Sequence, residues 1–450
     1  MNRPAVPQVT EVPSAIGVVG AGYVGLVTAA ALASLGHSVI CLDIDESRVE
    51  RLRRADVPIF EPGLRELLDE HADRLVFTTS PPELYTCSRL VFVTVDTPPL
   101  PSGDADLSRV EAVVDAIPTD IRELTLVMKS TVPVGTGARV QQALARRGLG
   151  RVRYVSNPEF LREGCAVADV LAPDRVVVGA DDPASVEPVV RLWEPLGGDV
   201  VSCDIASAEM MKLTSNAFLA TKISFINEIA NVCELVGADV ATVAHGMGLD
   251  HRIGPAFLQA GLGYGGSCFP KDVSALKRLA GNSGYHFQLL SAVIEVNELQ
   301  KRRVVTRLQS ELGGVQGRRI TLLGLAFKPG TDDLREATSL VLAGRLVAEG
   351  AQVTVHDPVV SDVGQALPDG VVQAPTLRRA LRGADAAILV TEWPQYADLL
   401  TPGMSAEMAT PLLVDGRNML DPDAAQEAGY RWIGVGRPEA EPDSAWTRAG

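Results

Sequence analysis

The sequence predicts an α/β chain in which two doubly wound parallel sheets are joined by a central helical region with one long helix. Short β-branched runs alternate with helical stretches from Ala15 onward and again from Arg319. Alternation of that kind implies a mainly parallel sheet covered by helices on both faces. Between the two series, Asp204 to Val236 contains no Gly or Pro and repeats apolar residues at helical spacing. That is enough for one helix of about 50 Å at 1.5 Å per residue. A length of 450 residues also allows two or three domains of about 150 residues each.

The first series of strands is expected at Ile16–Val19, Val39–Leu42, Leu75–Phe77, Leu90–Val95, Thr125–Met128, Val152–Val155 and Val176–Val178. Helical character then continues to about Gln309, interrupted by a glycine-rich loop at Gly261–Gly266. The second series is expected at Ile320–Leu323, Val353–Val355, Ala387–Val390 and Leu412–Val414. The expected division is 1–202, 203–309 and 310–435, followed by a Pro-, Glu- and Ala-rich tail over 436–450 that reads as flexible.

Composition narrows the function. A hydrophobic fraction of 46% with 22% charged residues describes a globular chain. The formal charge, 41 − 56 = −15, argues against nucleic acid or acidic membranes as partners. An anionic small molecule would have to be held by a few local Lys or Arg. Cys41, Cys87, Cys165, Cys203, Cys233 and Cys268 are scattered, with no CxxC and no Cys/His cluster. Neither a disulfide framework nor a metal site is expected, and a reducing cytoplasm suits them. One Arg and two early prolines, Pro4 and Pro7, precede the first apolar run, which speaks against a secretory signal. Ser14 to Leu42 carries no formal charge, so a membrane helix is a rival reading there. The glycines at 17, 20, 22, 25 and 36 favour strand, turn and helix instead.

Gly20, Gly22 and Gly25 form GxGxxG between a β-branched run and an Ala-rich helix. This is the Rossmann-like dinucleotide turn: Gly20 for the tight turn, Gly22 for approach of the pyrophosphate, and Gly25 for close helix packing. The helix N-terminus, at Tyr23 and Val24, offers unpaired N–H groups and a partial positive charge. Asp43 ends the second strand and can accept from the adenosine ribose, which selects NAD over NADP. Asp45 lies beyond the strand end. Arg48 either flanks the adenosine or is a solvated helix charge.

Gly263-Tyr264-Gly265-Gly266-Ser267-Cys268-Phe269-Pro270-Lys271-Asp272 is the most specific stretch. Its adjacent glycines are expected to clear space in front of Cys268 for a substrate carbon. Lys271 and nearby N–H groups would favour the thiolate, and Asp272 would handle protons or a water. The other five cysteines read as small core residues. Lys212 and Asn216 lie four apart on the long helix and suit oxyanion stabilisation; a solvated polar stripe fits their spacing as well.

Nine motifs stand in order: GAGYVG from Gly20, EPGL from Glu61, DTPP from Asp96, KSTVPVGT from Lys129, NPEFLREG from Asn157, KLTSNAFLATKISFINE from Lys212, DHRIGPAFL from Asp250, GYGGSCFPKD from Gly263 and FKPGTDDLRE from Phe327. With them the chain resembles the UDP-glucose/GDP-mannose dehydrogenase family from about Ile16 to Leu420. The resemblance implies an NAD-binding domain first, a helical dimerisation region carrying the cysteine loop, and a Rossmann-like UDP-sugar domain last. It implies two NAD-linked oxidations of UDP-glucose to UDP-glucuronate through a Cys268 thiohemiacetal and thioester. Lys212 and Asn216 would hold the oxyanion, Asp272 would assist with water and protons, and Glu159 would act in hydrolysis.

Also by resemblance, the cofactor side includes Tyr23, Val24, Thr97, Thr131, Glu163, Lys271 and Arg335. The substrate side includes Phe160, Leu161, Phe257, Tyr264, Gly265, Phe327, Lys328 and Arg417. Arg252 would enter a neighbouring subunit's site, which makes a homodimer or an assembly of dimers the expected state. One departure is visible: Asp96 stands before Thr-Pro where many relatives carry a neutral residue. The alternatives are the same chemistry on GDP-mannose or UDP-N-acetylmannosamine, a single-oxidation β-hydroxyacid dehydrogenase, and a non-catalytic NAD-binding sensor.

Overall fold

The computed structural model describes residues 15–361 and 363–438. The segment read for a secretory signal lies outside the described residues, as does the expected tail from 439 on. Two compact units divide at Thr214 and Ser215.

The first unit is built on an eight-stranded sheet: β1 (Ala15–Val19), β2 (Val39–Leu42), β3 (Leu75–Thr78), β4 (Ser88–Val93), β5 (Leu124–Met128), β6 (Val152–Ser156), β7 (Arg175–Gly179) and β8 (Asp199–Cys203). Their order is β3-β2-β1-β4-β5-β6-β7-β8. All neighbours are parallel except β6 and β7, which meet antiparallel at Ser156 and Gly179. β2 and β5 are buried throughout, as strands covered by helices on both faces must be, which is why they read as unbroken apolar runs. One apolar core lies on each face of the sheet. The helix Tyr23–Ser34 supplies a continuous buried Ala29–Ala33 stretch to the first of them. The uncharged Ser14–Leu42 stretch thus resolves from Ala15 into strand, turn, helix and strand. Among the described residues no helix is long and apolar enough to cross a membrane.

The long helix, Ile205–Val236, has 32 residues and crosses the boundary between the units. In the second unit it is followed by the helices Val240–Gly248, Phe269–Asn282 and Gln288–Leu312, the last ended by Gly313 in the left-handed conformation. A six-stranded, wholly parallel sheet completes this unit: β9 (Arg319–Leu323), β10 (Gln352–His356), β11 (Val372–Gln373), β12 (Ala386–Leu389), β13 (Leu412–Asp415) and β14 (Arg431–Gly434). Its order, β11-β10-β9-β12-β13-β14, repeats that of β3-β2-β1-β4-β5-β6. The repetition reaches side chains. Asp43, just past β2, accepts from Ala21 N at 2.7 Å, and Asp357, just past β10, accepts from Leu325 N at 2.7 Å. Thr94 Oγ1 donates to Gly20 O, and Thr391 Oγ1 donates to Ala326 O. Each sheet therefore has its crevice where the strand order reverses, the usual ligand position in open α/β sheets.

Candidate active site

At the mouth of β1, Gly20 has φ +103°, a conformation that glycine tolerates and other residues resist. A Cβ on Gly25 would overlap the Gly20 carbonyl oxygen, so the helix can start this close to the turn only with glycine there. Gly22 differs. A Cβ there would point into space whose nearest heavy atom is Asp96 Oδ1 at 4.0 Å. That open cradle lies at the N-terminus of the helix Tyr23–Ser34 and fits a pyrophosphate. Asp43 is buried, holds Ala21 N and Asp45 N, and pairs with Arg48 at 3.0 Å. Arg48 is thus tied to Asp43, the carboxylate expected on the ribose side. Asp45 instead caps the helix Glu46–Arg53. Beside them the apolar Ile44 is 93% exposed, which spacing gave no hint of.

Past β4 and β5, Thr97 Oγ1 donates to Thr131 O at 2.7 Å, so the two expected cofactor threonines share one wall of the crevice. Glu61, missed as a site residue, organises the opposite loop. Its buried carboxylate accepts from the Tyr23 hydroxyl, from Gly164 N at 2.6 Å and from Ala166 N at 2.7 Å. It therefore fastens the cofactor turn to the loop that carries Glu163. Asp96 is exposed and paired with Arg109 at 2.9 Å.

Farther along this loop, Glu159 and Lys212 form a buried ion pair at 2.8 Å, and Leu161 N donates to the Glu159 carboxylate. Phe160 lies between cations, with Arg175 3.8 Å and Lys212 5.5 Å from its ring centre. Lys129, also missed, is buried near the pair. It donates to Asn157 Oδ1 at 3.3 Å and faces the Trp193 ring at 4.9 Å. Glu209 is buried as well: it accepts from Gly135 N and Gly137 N at 2.7 and 2.8 Å, and burial pushes its carboxyl up to about 7.

In the second unit, Cys268 occupies the N-cap of the 14-residue helix Phe269–Asn282, where the helix presents its positive end and unpaired amides. Asp272 is 1% exposed, bonds through its amide to Cys268 O, accepts from Asn216 Nδ2 at 2.6 Å, and pairs with Lys271 at 2.8 Å. Lys271 was expected to lend its charge to the sulfur; it forms an ion pair with Asp272.

The glycines before Cys268 also allow a close approach of backbone segments. A Cβ on Gly265 would overlap the Glu336 carbonyl oxygen, and one on Gly266 would come within 2.6 Å of the Phe327 ring. They let the loop press against the 327–337 segment, and Gly266 N donates to Arg335 O at 2.9 Å. The Arg335 side chain turns away to a bidentate pair with Asp333. Arg417 anchors the other side through Gly263 O at 3.1 Å and Val390 O at 2.7 Å. Lys328 stands 5.6 Å from the Phe327 ring centre.

Phe269 is met edge-on by Tyr264 and by Phe257, and Phe257 adopts φ +63°, a strained backbone for an aromatic residue. Arg252 is exposed and held by Asp250. Of the five cysteines read as core residues, only Cys41 and Cys233 are buried; Cys87 and Cys165, at helix ends, are exposed and Cys203 is intermediate.

A dinucleotide turn with a ribose-side carboxylate, in a doubly wound sheet, defines an NAD-dependent oxidoreductase, and its residues fit that cofactor. Comparison with known proteins resolves the family. The UDP-glucose/GDP-mannose dehydrogenase models match in three parts: the NAD binding domain over residues 14–197, the central domain over 206–299 and the UDP binding domain over 321–422. The chain belongs to the UDP-glucose/GDP-mannose dehydrogenase family. It is 47% identical over 442 residues to a UDP-glucose 6-dehydrogenase of Pseudomonas aeruginosa, covering 94% of this chain and 97% of that one. It is 45% identical over 436 residues to one from Bacillus subtilis, covering 96% and 99%. A solved UDP-glucose dehydrogenase from Pyrobaculum islandicum superposes with a TM-score of 0.88 at 39% identity, covering 96% and 100%.

Proposed function

We propose that this chain oxidises UDP-glucose to UDP-glucuronate by four electrons, releasing two NADH per sugar. The observation that carries the covalent part is Cys268 itself, a half-buried sulfur at a helix N-terminus, with the buried Asp272–Asn216 pair one turn further on. When bound, NAD would supply a hydride acceptor, one molecule for each of the two oxidations, with NADH exchanged for fresh NAD between them. In our reading the Cys268 thiolate adds to the C6 aldehyde, giving a thiohemiacetal. Loss of hydride from C6 leaves a thioester, and water cleaves it to carboxylate and free thiol. Lys212 and Asn216 hold the successive oxyanions, Asp272 relays protons, and Glu159 assists water. Thr131, Thr97 and Glu163 serve the cofactor, with Lys271 and Arg335 assigned to the same side by resemblance. Phe160, Leu161, Phe257, Tyr264, Gly265, Phe327, Lys328 and Arg417 serve the nucleotide-sugar. Choice of UDP-glucose rests on the named relatives above 35% identity.

We extend the proposal to the assembly, to the division at 202 and 309, and to a cytoplasmic setting, which suits six free cysteines. Phe218, Phe225 and Val232 recur every seven residues on the long helix and are 66%, 48% and 52% exposed. A heptad stripe left in solvent suits a second copy of the helix, and Arg252 would then reach the partner's site.

The test is to assay UDP-glucose, GDP-mannose and UDP-N-acetylmannosamine side by side, counting NADH per sugar in the wild type and in C268S. Two NADH on UDP-glucose and none completed by C268S are expected. Aldehyde release with one NADH, or full turnover by C268S, would overturn the mechanism.

A further inference from the structure

Lys129 opens the KSTVPVGT motif, of which the proposed mechanism uses only Thr131. It follows β5 directly, and its amide donates to Val93 O at 2.9 Å, so the strand end fixes its backbone. Its side chain runs into the interior and is 6% exposed. There its ammonium meets neutral groups: Asn157 Oδ1 at 3.3 Å and the face of Trp193 at 4.9 Å. The amide is itself held in place, since Asn157 Nδ2 donates to Val177 O and Trp193 Nε1 donates to Asn157 Oδ1.

A cation buried without a bonded carboxylate is costly, and a methionine would fill the space at less expense. The charged groups that act on it are Glu159 and Lys212, the first favouring its protonated form and the second opposing it. Three buried charged side chains thus sum to +1 where a neutral ion pair would sum to zero.

We propose that Lys129 is a positioning residue for the reaction. Its ammonium shares the field of Glu159, so that Glu159 does not cancel Lys212 and one net positive charge remains for the oxyanion formed on the substrate. This rests on Lys212 acting as the oxyanion holder. Burial brings the Lys129 ammonium down to about 8, so its charge is present at neutral pH and is lost just above it.

The test is the pH profile of kcat on UDP-glucose for wild type, K129R and K129M, with thermal melting as the check on folding. Wild-type kcat is expected to fall through about pH 8. K129R keeps the charge without the titration, so that break should vanish while kcat at pH 7 stays within about threefold. K129M should lose about tenfold or more in kcat at pH 7, with both KM values within about threefold and the break absent. A role confined to core packing would lower melting temperature and leave the break in place, and that result in a folded variant overturns the proposal. Absence of any break between about pH 7 and 9 in wild type overturns it without a variant. K212M is run alongside. If K212M keeps full turnover, the mechanism itself fails; if K212M is inactive and the Lys129 variants behave as wild type, only the role of Lys129 fails.

Discussion

Replacing Gly22 by Ala separates stability from cofactor binding. Gly22 has φ −80° and ψ −165°, an extended conformation that alanine adopts freely. The added methyl meets nothing nearer than Asp96 Oδ1 at 4.0 Å. On the folding side the change removes freedom from the unfolded chain, worth about 0.4–1 kcal/mol, but Gly22 is the N-cap of the helix, where Gly is preferred to Ala by a similar amount. The two effects offset, and the melting temperature should move by less than about 4 °C. On the binding side the methyl stands where the pyrophosphate must approach the helix N-terminus. Losing one charge-assisted hydrogen bond costs about 1.5–3 kcal/mol, which weakens NAD by about 10- to 150-fold. Calorimetric NAD titration and a thermal melt of G22A measure both numbers. Unchanged NAD affinity in a folded G22A protein would refute the placement of the cofactor. G25A gives the contrast, because its Cβ would overlap the Gly20 carbonyl oxygen and the domain should fail to fold.

Three further outcomes are expected. Removing the Glu61 carboxylate in E61A strands the buried donors Gly164 N and Ala166 N, so urea unfolding should show a loss of about 3 kcal/mol; at concentrations where it stays folded, KM for NAD should rise with the freeing of Tyr23. Glu209 is raised by burial to about 7. Its folded-state value thus exceeds the unfolded one, and the stability it contributes while protonated is lost as pH rises from about 4.5 to about 7. The difference in melting temperature, E209Q minus wild type, should become more positive from pH 5 to pH 8 and stay level above that. Finally, F225E puts a charge into the exposed heptad stripe and should convert the assembly to monomer in sedimentation velocity without lowering the melting temperature of the individual units.

The central strands were legible because burial on both faces leaves a continuous apolar run. The edges were not. β8 has three exposed and two half-buried residues and none buried, and β11 has only two residues, too little pattern to stand out from a loop. β14 holds three buried residues behind an exposed Arg431. The antiparallel joint of β6 and β7 is a single pairing at Ser156 and Gly179, and no local sequence signal encodes it.

The same division runs through the site. The glycine turn and Asp43 are local in sequence, so spacing reveals them. Glu61, Lys129 and Glu209 look like ordinary surface charges because their burial is set by distant donors and rings; the backbone donors of Glu61 lie more than a hundred residues away, at Gly164 and Ala166. The glycines before Cys268 were visible, but their purpose was not, since the atoms they admit belong to Phe327 and Glu336.

That contact sets a rule for engineering. The sulfur-bearing loop is moulded to the 327–337 segment and tied to Arg417, so the last domain is no interchangeable cassette. A chimera that imports a relative's sheet to change nucleotide choice must import residues 261–269 with it. Otherwise Cys268, the proposed nucleophile, is seated against a foreign surface, and the hybrid would gain a new ligand grip while this thiol loses register.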